Sequence, residues 1–508
     1  MKHFTCTSIV SFALLLPCIA QPGMNLILDT EYPRKRMYDM IVDNDTIVGL
    51  GMAYGDSTFS QQGILLVKFD SSGQLLASNL ILDELGDHLA VSYFWGKTCK
   101  SSNKGYAFTA ATFYRNSAVL IKTDADLEVE FIKEYEDTVN LSNYRYEIMP
   151  IEDGYLLYGA IQRPNFQDNA FVRRVDSLGE TIWFNYYGAY EDDGAMLDVQ
   201  PIDGQTVVAA SVDQTGNNGS RSTLRIIDLD GNVLKSWASG PDPEVGYFRK
   251  VMVLPDGGGF LTYGVYLISV IDPSNKLVQP AIARFSADLD LLWVKHIGKT
   301  YYLSGALEYF DIEQTSDGFF IAAGRSFING PNDTHPSTGS LMKFTEYADS
   351  LWARYDTGPY PLNYINQHFF GGVGVLSSGN IIAGGTATLG MDNNLWLVKV
   401  TNDGCMDTIM CEPITGIVER AQKEKEVMKF YPNPASQSVT VELPSALEAV
   451  EISINDLQGR AVSRQIFDEM PIRVELPTGH LPTGIYILKA HGPNGTLGQG
   501  KLAILNGP

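Results

Sequence analysis

The residues best suited to chemistry are aromatic side chains that stand beside carboxylates and one histidine in the segments between strand-like runs. Aromatic rings can stack on sugar rings, and carboxylates can accept hydrogen bonds from hydroxyl groups or pair with a basic protein. We predict a ligand face made of Tyr186, Tyr187, Tyr190, Asp192, Asp193, Tyr247, Tyr301, Tyr302, Tyr360, Tyr364 and His368. The alternative is that these loops are simply solvated and that their tyrosines pack between structural units.

Motifs for covalent or cofactor chemistry are missing from the sequence. It contains no Gly-x-Ser-x-Gly, no His-Glu-x-x-His, no Walker loop and no dinucleotide-binding fingerprint, and its 7 histidines are scattered. We therefore predict no catalytic residue, no metal site and no cofactor. The alternative is a polysaccharide hydrolase or lyase, whose acid and base would be two carboxylates of the same loops, ~5–9.5 Å apart in one pocket.

Charge and composition narrow the class of protein further. The chain has 508 residues with 37 Lys and Arg against 59 Asp and Glu, a formal net charge of −22. The sequence has no cluster of Lys and Arg that could offset this negative charge locally, which argues against nucleic-acid binding. A hydrophobic fraction of 44% with 48 glycines favours strands joined by tight turns. The chain is therefore predicted to be all-β and monomeric.

The first twenty residues are typical of a secretory signal peptide. A short basic start is followed by an apolar run over residues 9–16 and by small side chains before Gln21. No later stretch reaches the ~20 apolar residues of a membrane span. We therefore expect residues 1–20 to direct export, and the rest of the chain to have no membrane span.

Three cysteines remain outside that segment. Cys405 and Cys411 are separated by five residues and can close a small loop in an oxidising compartment, so we predict a disulfide between them. Cys99 has no histidine near it in the downstream sequence and is predicted to be a buried thiol.

One pattern of strands and turns recurs seven times between about residues 24 and 407. A turn leads into an apolar strand, as in Asp153–Gly159, and a second strand closes on a turn, as in Leu66–Gly73. Successive copies are 52 to 59 residues apart. Each copy predicts four antiparallel strands, and a four-stranded sheet buries both faces only when it is stacked with others. The arrangement resembles the bacterial seven-bladed β-propeller families, without the signature dipeptides of the WD and kelch repeats.

The last copy lacks an outer strand, and the N-terminus offers one. Residues Asn25–Asp29 repeat the sequence of Asn79–Asp83, which belongs to the outer strand of the first copy. We therefore predict that residues 25–29 pair beside residues 395–400 and close the ring. The propeller then spans residues 21–411.

The final residues have a different character. Residues 412–428 are polar and charged and are predicted to be a linker. Residues 429–508 contain seven short runs with period-two alternation, which predicts a small Ig-like β-sandwich.

That last segment is similar to the type A C-terminal sorting domain of cargo of the type IX secretion system of Bacteroidota. The motifs occur in the family's order and comprise Tyr431, Pro432, Asn433, Pro434, Gly459, Arg460, Gly484, Ile485, Tyr486 and Lys501. The resemblance implies export through the periplasm, recognition by the type IX machinery, and release or attachment at the cell surface. Together, these observations predict a secreted or surface propeller with a non-catalytic binding or adhesion role toward a glycan or protein.

Overall fold

The computed structural model describes residues 23–91, 97–101, 104–115, 117–135, 145–162, 168–187, 193–214, 220–239, 247–272, 275–297, 301–302, 308–327, 336–357, 367–389, 392–406, 428–443, 447–456, 460–470, 472–492 and 495–505. Within these ranges the secondary structure is β, apart from one short 3-10 turn at Pro255–Gly257. The predicted all-β class is confirmed. None of the described helical segments is long and apolar enough to cross a membrane.

Seven antiparallel sheets, here called blades 1 to 7, follow one another along the chain. Blade 1 contains β2 (Arg36–Asp43), β3 (Thr46–Tyr54), β4 (Gln62–Phe69) and β5 (Leu75–Ile81). Blade 2 contains β6 (Leu89–Ala90), β7 (Thr98–Lys100), β8 (Tyr106–Thr112), β9 (Ala118–Thr123) and β10 (Val129–Tyr135). Blade 3 contains β11 (Arg145–Ile151), β12 (Gly154–Gln162), β13 (Asp168–Asp176) and β14 (Thr181–Tyr186). Blade 4 contains β15 (Asp193–Pro201), β16 (Thr206–Gln214), β17 (Ser220–Asp228) and β18 (Val233–Ala238).

The remaining blades complete the ring. Blade 5 contains β19 (Tyr247–Val253), β20 (Phe260–Asp272), β21 (Asn275–Phe285), β22 (Leu291–His296) and the short β23 (Tyr301–Tyr302). Blade 6 contains β24 (Glu308–Gln314), β25 (Phe320–Phe327), β26 (Ser337–Phe344) and β27 (Ser350–Asp356). Blade 7 contains β28 (Phe369–Val375), β29 (Ile381–Leu389), β30 (Asp392–Val400) and the N-terminal β1 (Met24–Leu28). The inner strand of each blade, which is β7 in blade 2, contacts that of the next, and β28 contacts β2, so the predicted seven-bladed propeller is confirmed.

The recurring turn of the sequence pattern has a local physical cause. In blade 1, a side-chain oxygen of Asp70 accepts hydrogen bonds from the backbone N–H groups of Ser72 and Gln74. Gly73 follows in the left-handed region at φ 86°, which glycine adopts without strain. The turns after β13 and β17 repeat this arrangement, so the Asp-x-x-Gly spacing fixes the hairpin between the two outer strands of these blades.

A second glycine position lets the first strand of a blade approach its second strand closely. At Gly51, a Cβ would lie 1.9 Å from the carbonyl oxygen of Arg36, and at Gly324 it would lie 1.8 Å from that of Glu308. Both glycines pair with the inner strand immediately before a β-bulge. The bulge brings the inner backbone too close for any side chain on the second strand, which explains why glycine recurs there.

The N-terminal strand closes the ring as predicted. β1 runs antiparallel to β30 with Asn25 opposite Val398 and Leu28 opposite Leu395. The indole Nε1 of Trp396 donates to Oδ1 of Asn25 at 2.7 Å. Blade 7 is therefore built from both ends of the propeller segment.

The C-terminal residues form two sheets around a separate core. One sheet has the order β31 (Lys429–Tyr431), β32 (Ser438–Glu442) and β35 (Arg473–Pro477). The other has the order β34 (Ala461–Met470), β33 (Leu447–Asn455), β36 (Gly484–Gly492) and β37 (Gly495–Ile504). Their inner faces share one cluster of buried apolar residues, including Val441, Ile452 and Leu488. The predicted small β-sandwich is confirmed.

The cysteines behave in two ways. Cys99 is a free, buried thiol in β7, and burial raises its pKa. Cys405 is disulfide-bonded, whereas its predicted partner Cys411 lies outside the described residues.

Candidate functional site

Two residues of the predicted ligand face lie inside the propeller, so the prediction is corrected for them. Tyr187 is buried, and its hydroxyl donates to the carbonyl oxygen of Gly231 in blade 4 at 2.9 Å. His368 is fully buried, and its Nδ1 accepts a hydrogen bond from the backbone N–H of Thr388. Burial lowers the pKa of His368 to about 4. Both side chains pack within the ring, because segments that link blades also fill the gaps between them.

The other predicted residues are placed only in part. Tyr186 ends β14, is 42% exposed, and meets Phe184 edge to face at 4.9 Å. Four others occupy backbone positions at the starts of β15 and β19 and in β23, namely Asp193, Tyr247, Tyr301 and Tyr302. Four lie outside the described residues, namely Tyr190, Asp192, Tyr360 and Tyr364. For these residues the ligand face stays a prediction.

An exposed aromatic patch that we did not predict lies where blades 1 and 2 meet. We define it by Leu85, His88, Phe113 and Tyr114. Phe113 and Tyr114 are 64% and 68% exposed and meet edge to face at 5.2 Å. His88 lies 6.4 Å from the Phe113 ring and 5.6 Å from the Tyr114 ring. The signal for it was the pair Phe113-Tyr114 directly after an apolar strand.

A network of charged residues holds this patch in place. The guanidinium of Arg115 donates to both carboxylate oxygens of Asp83, at 2.7 and 3.0 Å, and to Glu134 at 3.1 Å. Asp87 accepts hydrogen bonds from the backbone N–H groups of Tyr114 and Arg115. Bidentate Arg–carboxylate pairing of this kind fixes geometry as well as charge. The loop that carries the two exposed rings is therefore tied to the preceding blade.

Charged side chains line the central channel. Asp39, Asp198 and Asp311 follow the bulges of inner strands β2, β15 and β24. Lys97 lies 3.4 Å from Asp198, and Lys250 lies 4.0 Å from the same carboxylate. With Glu313, these two lysines, Asp198 and Asp311 border a cavity of about 220 Å³.

Three of the channel carboxylates each join one blade to the next. Asp39 accepts a hydrogen bond from the backbone N–H of Thr98 in blade 2 at 2.6 Å. Asp198 does the same with Val251 in blade 5, and Asp311 with Val373 in blade 7. An acid placed just after an inner-strand bulge thus satisfies a buried backbone donor across the blade boundary.

Asp39 should make the stability of the propeller depend on pH. Burial first, and then the nearby charge of Asp311, raise the pKa of Asp39 to about 7, against the smaller opposing effects of Thr98, Lys97 and Lys250. The folded state then holds a proton that the unfolded state releases near pH 4, so the free energy of unfolding falls as pH rises from about 4 to 7. We expect Asp39→Asn to reduce that fall, because the amide does not ionise. The fold should be kept, because the amide oxygen can still accept from Thr98.

Denaturant unfolding at pH 5 and pH 8 measures this effect. The wild type should lose more stability between the two values than the variant does. Asp126→Asn, in an exposed turn, is the control and should behave as wild type. An equal loss in the wild type and Asp39→Asn would contradict the assignment.

The motif residues of the C-terminal domain converge on one end of the sandwich. The side chain of Asn433 donates to the carbonyl oxygen of Lys501 and accepts from the N–H of Ala503. Tyr486 lies opposite Leu502, and its hydroxyl donates to the carbonyl oxygen of Pro482. The segment holding Pro432 and Pro434 is thus fastened to β37, although about 70 residues separate the two in sequence.

Other motif residues remain at the surface of the same domain. Tyr431 is 41% exposed, and its hydroxyl donates to Glu442 at 2.8 Å. Arg460 is exposed and pairs with Asp456 at 2.8 Å. Gly484 and Ile485 begin β36, whereas Gly459 lies outside the described residues. Tyr431, Arg460 and Ile485 can therefore be reached by another protein.

The sandwich packs against the turn between β26 and β27 of blade 6. The rings of Tyr347 and His491 stack with centroids 3.8 Å apart and planes within 2°. The hydroxyl of Tyr347 donates to Glu451 at 2.9 Å, and Arg464 pairs with both Glu451 and Glu346. Burial raises the pKa of Glu451 and lowers that of His491 to about 4. We call this contact the interdomain joint.

Comparison with known proteins identifies the C-terminal domain. Residues 429–504 match the family described as the secretion system C-terminal sorting domain. This domain is a type IX secretion sorting domain. The sorting domain marks the protein for export to the outer surface or for secretion. A search of curated proteins gives no match.

Several solved structures are similar at low identity. The alpha-L-arabinofuranosidase of Fusarium graminearum in complex with arabinobiose is 13% identical, with 62% of this chain and 94% of that chain covered and a TM-score of 0.41. The alpha-L-arabinanase of Penicillium chrysogenum is 11% identical, covering 61% and 94%, with a TM-score of 0.34. The WD40 domain of SCAP from fission yeast is 6% identical, covering 75% and 98%, with a TM-score of 0.34.

Proposed function

We propose that this type IX secretion cargo is a non-catalytic binding or adhesion protein whose propeller engages an extracellular glycan or protein. Residues 1–20 would act as the signal peptide, residues 21–411 as the propeller, residues 412–428 as a linker, and residues 429–508 as the sorting domain. The ligand face would lie where the blade-linking loops meet, and the propeller would act as a monomer.

The observation that carries this proposal is the placement of the sorting domain relative to the aromatic patch. The interdomain joint is formed by the turn between β26 and β27. This turn is on the face of the ring where the first and third strands of a blade end. The patch lies on the connection from β5 to β6 and on the turn between β8 and β9. Both segments are on the face of the ring where the first strand of a blade begins. Because the strands of a blade alternate in direction, these are opposite faces of the ring. In the part of the chain that the structure describes, the sorting domain therefore contacts the face opposite the patch, which supports a ligand face on the patch side.

The channel carboxylates favour binding over hydrolysis. A glycosidase needs one carboxyl group that releases its proton to the leaving oxygen and a second that acts on the sugar or on water. Asp39, Asp198 and Asp311 each accept a backbone N–H from the next blade. These hydrogen bonds give the three carboxylates a structural role, so their position on the axis does not require a catalytic one.

The test is to incubate the purified full-length protein with soluble polysaccharides. Binding of each polysaccharide to the protein and the formation of new reducing ends are measured in the same samples. We expect retention of at least one polysaccharide, or of a protein partner, with no release of reducing ends over time. Release that increases with time and enzyme concentration would overturn the proposal in favour of a polysaccharide hydrolase, and new unsaturated ends would indicate a lyase.

A further inference from the structure

We propose that the aromatic patch at the junction of blades 1 and 2 is a binding site for the sugar rings of a neutral polysaccharide. This inference rests on the proposed binding function and assigns it a place and a ligand class. Leu85, Phe113 and Tyr114 are 79%, 64% and 68% exposed. The C–H faces of a sugar ring pack well on aromatic rings, whose faces carry partial negative charge.

The patch is rigid before any ligand arrives. The backbone N–H of Phe113 donates to the carbonyl oxygen of His88 at 2.9 Å, and Asp87 holds the next two N–H groups of the same loop. A loop already held in one conformation loses little further freedom on binding, so more of the contact energy appears as affinity.

The charges around the patch argue against an acidic ligand. Both oxygens of Asp83 are engaged by Arg115, and the same guanidinium also pairs with Glu134. The oxygens of Asp87 accept backbone N–H groups. Within the described network, one guanidinium is paired with three carboxylates, so the patch offers no free cation to bind an acidic sugar.

A polar group for sugar hydroxyls stands among the rings. Nδ1 of His88 accepts a hydrogen bond from the backbone N–H of Gln62 at 2.9 Å, which makes Nε2 the protonated nitrogen of the neutral ring. An N–H donor beside two aromatic rings is the combination that fixes the orientation of a hydroxylated ring.

The size of the patch favours a glycan over a protein. Three side chains about two-thirds exposed present roughly 400 Å² of apolar surface, taking roughly 200 Å² for each. A stable protein partner covers about 800 Å² on each side. A few consecutive sugar rings match the smaller area.

Isothermal titration of the full-length secreted protein tests the assignment, with a soluble β-glucan, a xylan and a mannan as neutral probes and polygalacturonate as the anionic probe. We expect the wild type to bind at least one neutral probe, and Tyr114→Ala and Phe113→Ala each to weaken that binding about ten-fold or more. Tyr355→Ala is the matched control, because Tyr355 is 54% exposed on the outer strand of blade 6 and far from the patch in the ring. It should bind as wild type.

The remaining outcomes separate the site from the function. Equal neutral-glycan binding by all variants would overturn this site while the binding function stands. Binding of polygalacturonate alone, or of a protein partner and no glycan, would overturn the neutral-sugar assignment and also leave the function standing. Absence of any binding by the wild type would overturn both. Reducing ends measured in the same samples report separately on catalysis.

Discussion

Deleting residues 429–508 is expected to abolish the appearance of the protein outside the cell. The deleted segment contains the whole sorting domain, with its own core and the fastening of Asn433 to β37. Since the blades close without it, through β1 and β30, a propeller should still form and accumulate in the periplasm. Immunoblots of periplasm, cell surface and medium measure the distribution. Normal delivery of the truncated chain to the surface would contradict the role of this domain.

A point variant separates the sorting motif from the interdomain joint. Arg464→Ala removes the partner of Glu346 and of the buried Glu451 but leaves the motif residues in place. We expect it to be exported, while its sorting domain loses stability because the buried Glu451 loses its ion pair. Arg473→Ala is the control, since Arg473 is exposed and pairs with Glu442 within the sorting domain. Failure of Arg464→Ala to be exported, with the domain still folded, would assign the joint itself to recognition.

The ring and its turns could be predicted because their causes are local. Asp70 and Gly73 define a hairpin within four residues, and the same spacing returns in later blades. Closure could be predicted as well, since residues 25–29 copy a strand whose position in the ring was already known. Such features depend on short stretches of sequence that can be compared with one another.

The sites depend on residues that are distant in sequence, and this is why they were missed or misplaced. The aromatic patch is held by Arg115 and Asp83, which are 32 residues apart in different blades. Tyr187 and His368 belong to segments that link blades, yet both side chains are buried. Their burial results from packing against neighbouring strands and is not evident from the sequence around them. The interdomain joint pairs Tyr347 with a residue of another domain. Residue type showed which groups could bind, but not which way they face.

Replacing Trp396 with alanine is expected to destabilise the propeller by about 4 kcal/mol, the middle of the range for large buried aromatic residues. Trp396 is completely buried and stacks on Phe370 at 4.3 Å. A Cβ on Gly339 would lie 2.7 Å from the indole ring, so the ring fills the gap between blades 6 and 7 without spare room. Stiff strand backbone on both sides cannot collapse into the space left by alanine, and the cavity should persist.

The same substitution removes a bond between the two ends of the propeller. The indole Nε1 donates to Asn25 of the closing strand, so Asn25→Ala should reproduce only that part of the loss, about 1 kcal/mol. Trp352→Ala is the matched control, because this half-buried tryptophan also donates from Nε1, to the carbonyl oxygen of Asn402 at 3.1 Å. Denaturant unfolding of the three variants should rank Trp396→Ala well above the other two. Equal losses for the two tryptophans would contradict the expected cavity at Trp396. A larger loss at Trp396 than at Asn25 and Trp352 assigns the difference to the packing of the indole ring between blades 6 and 7, with the bond to the closing strand as the smaller part.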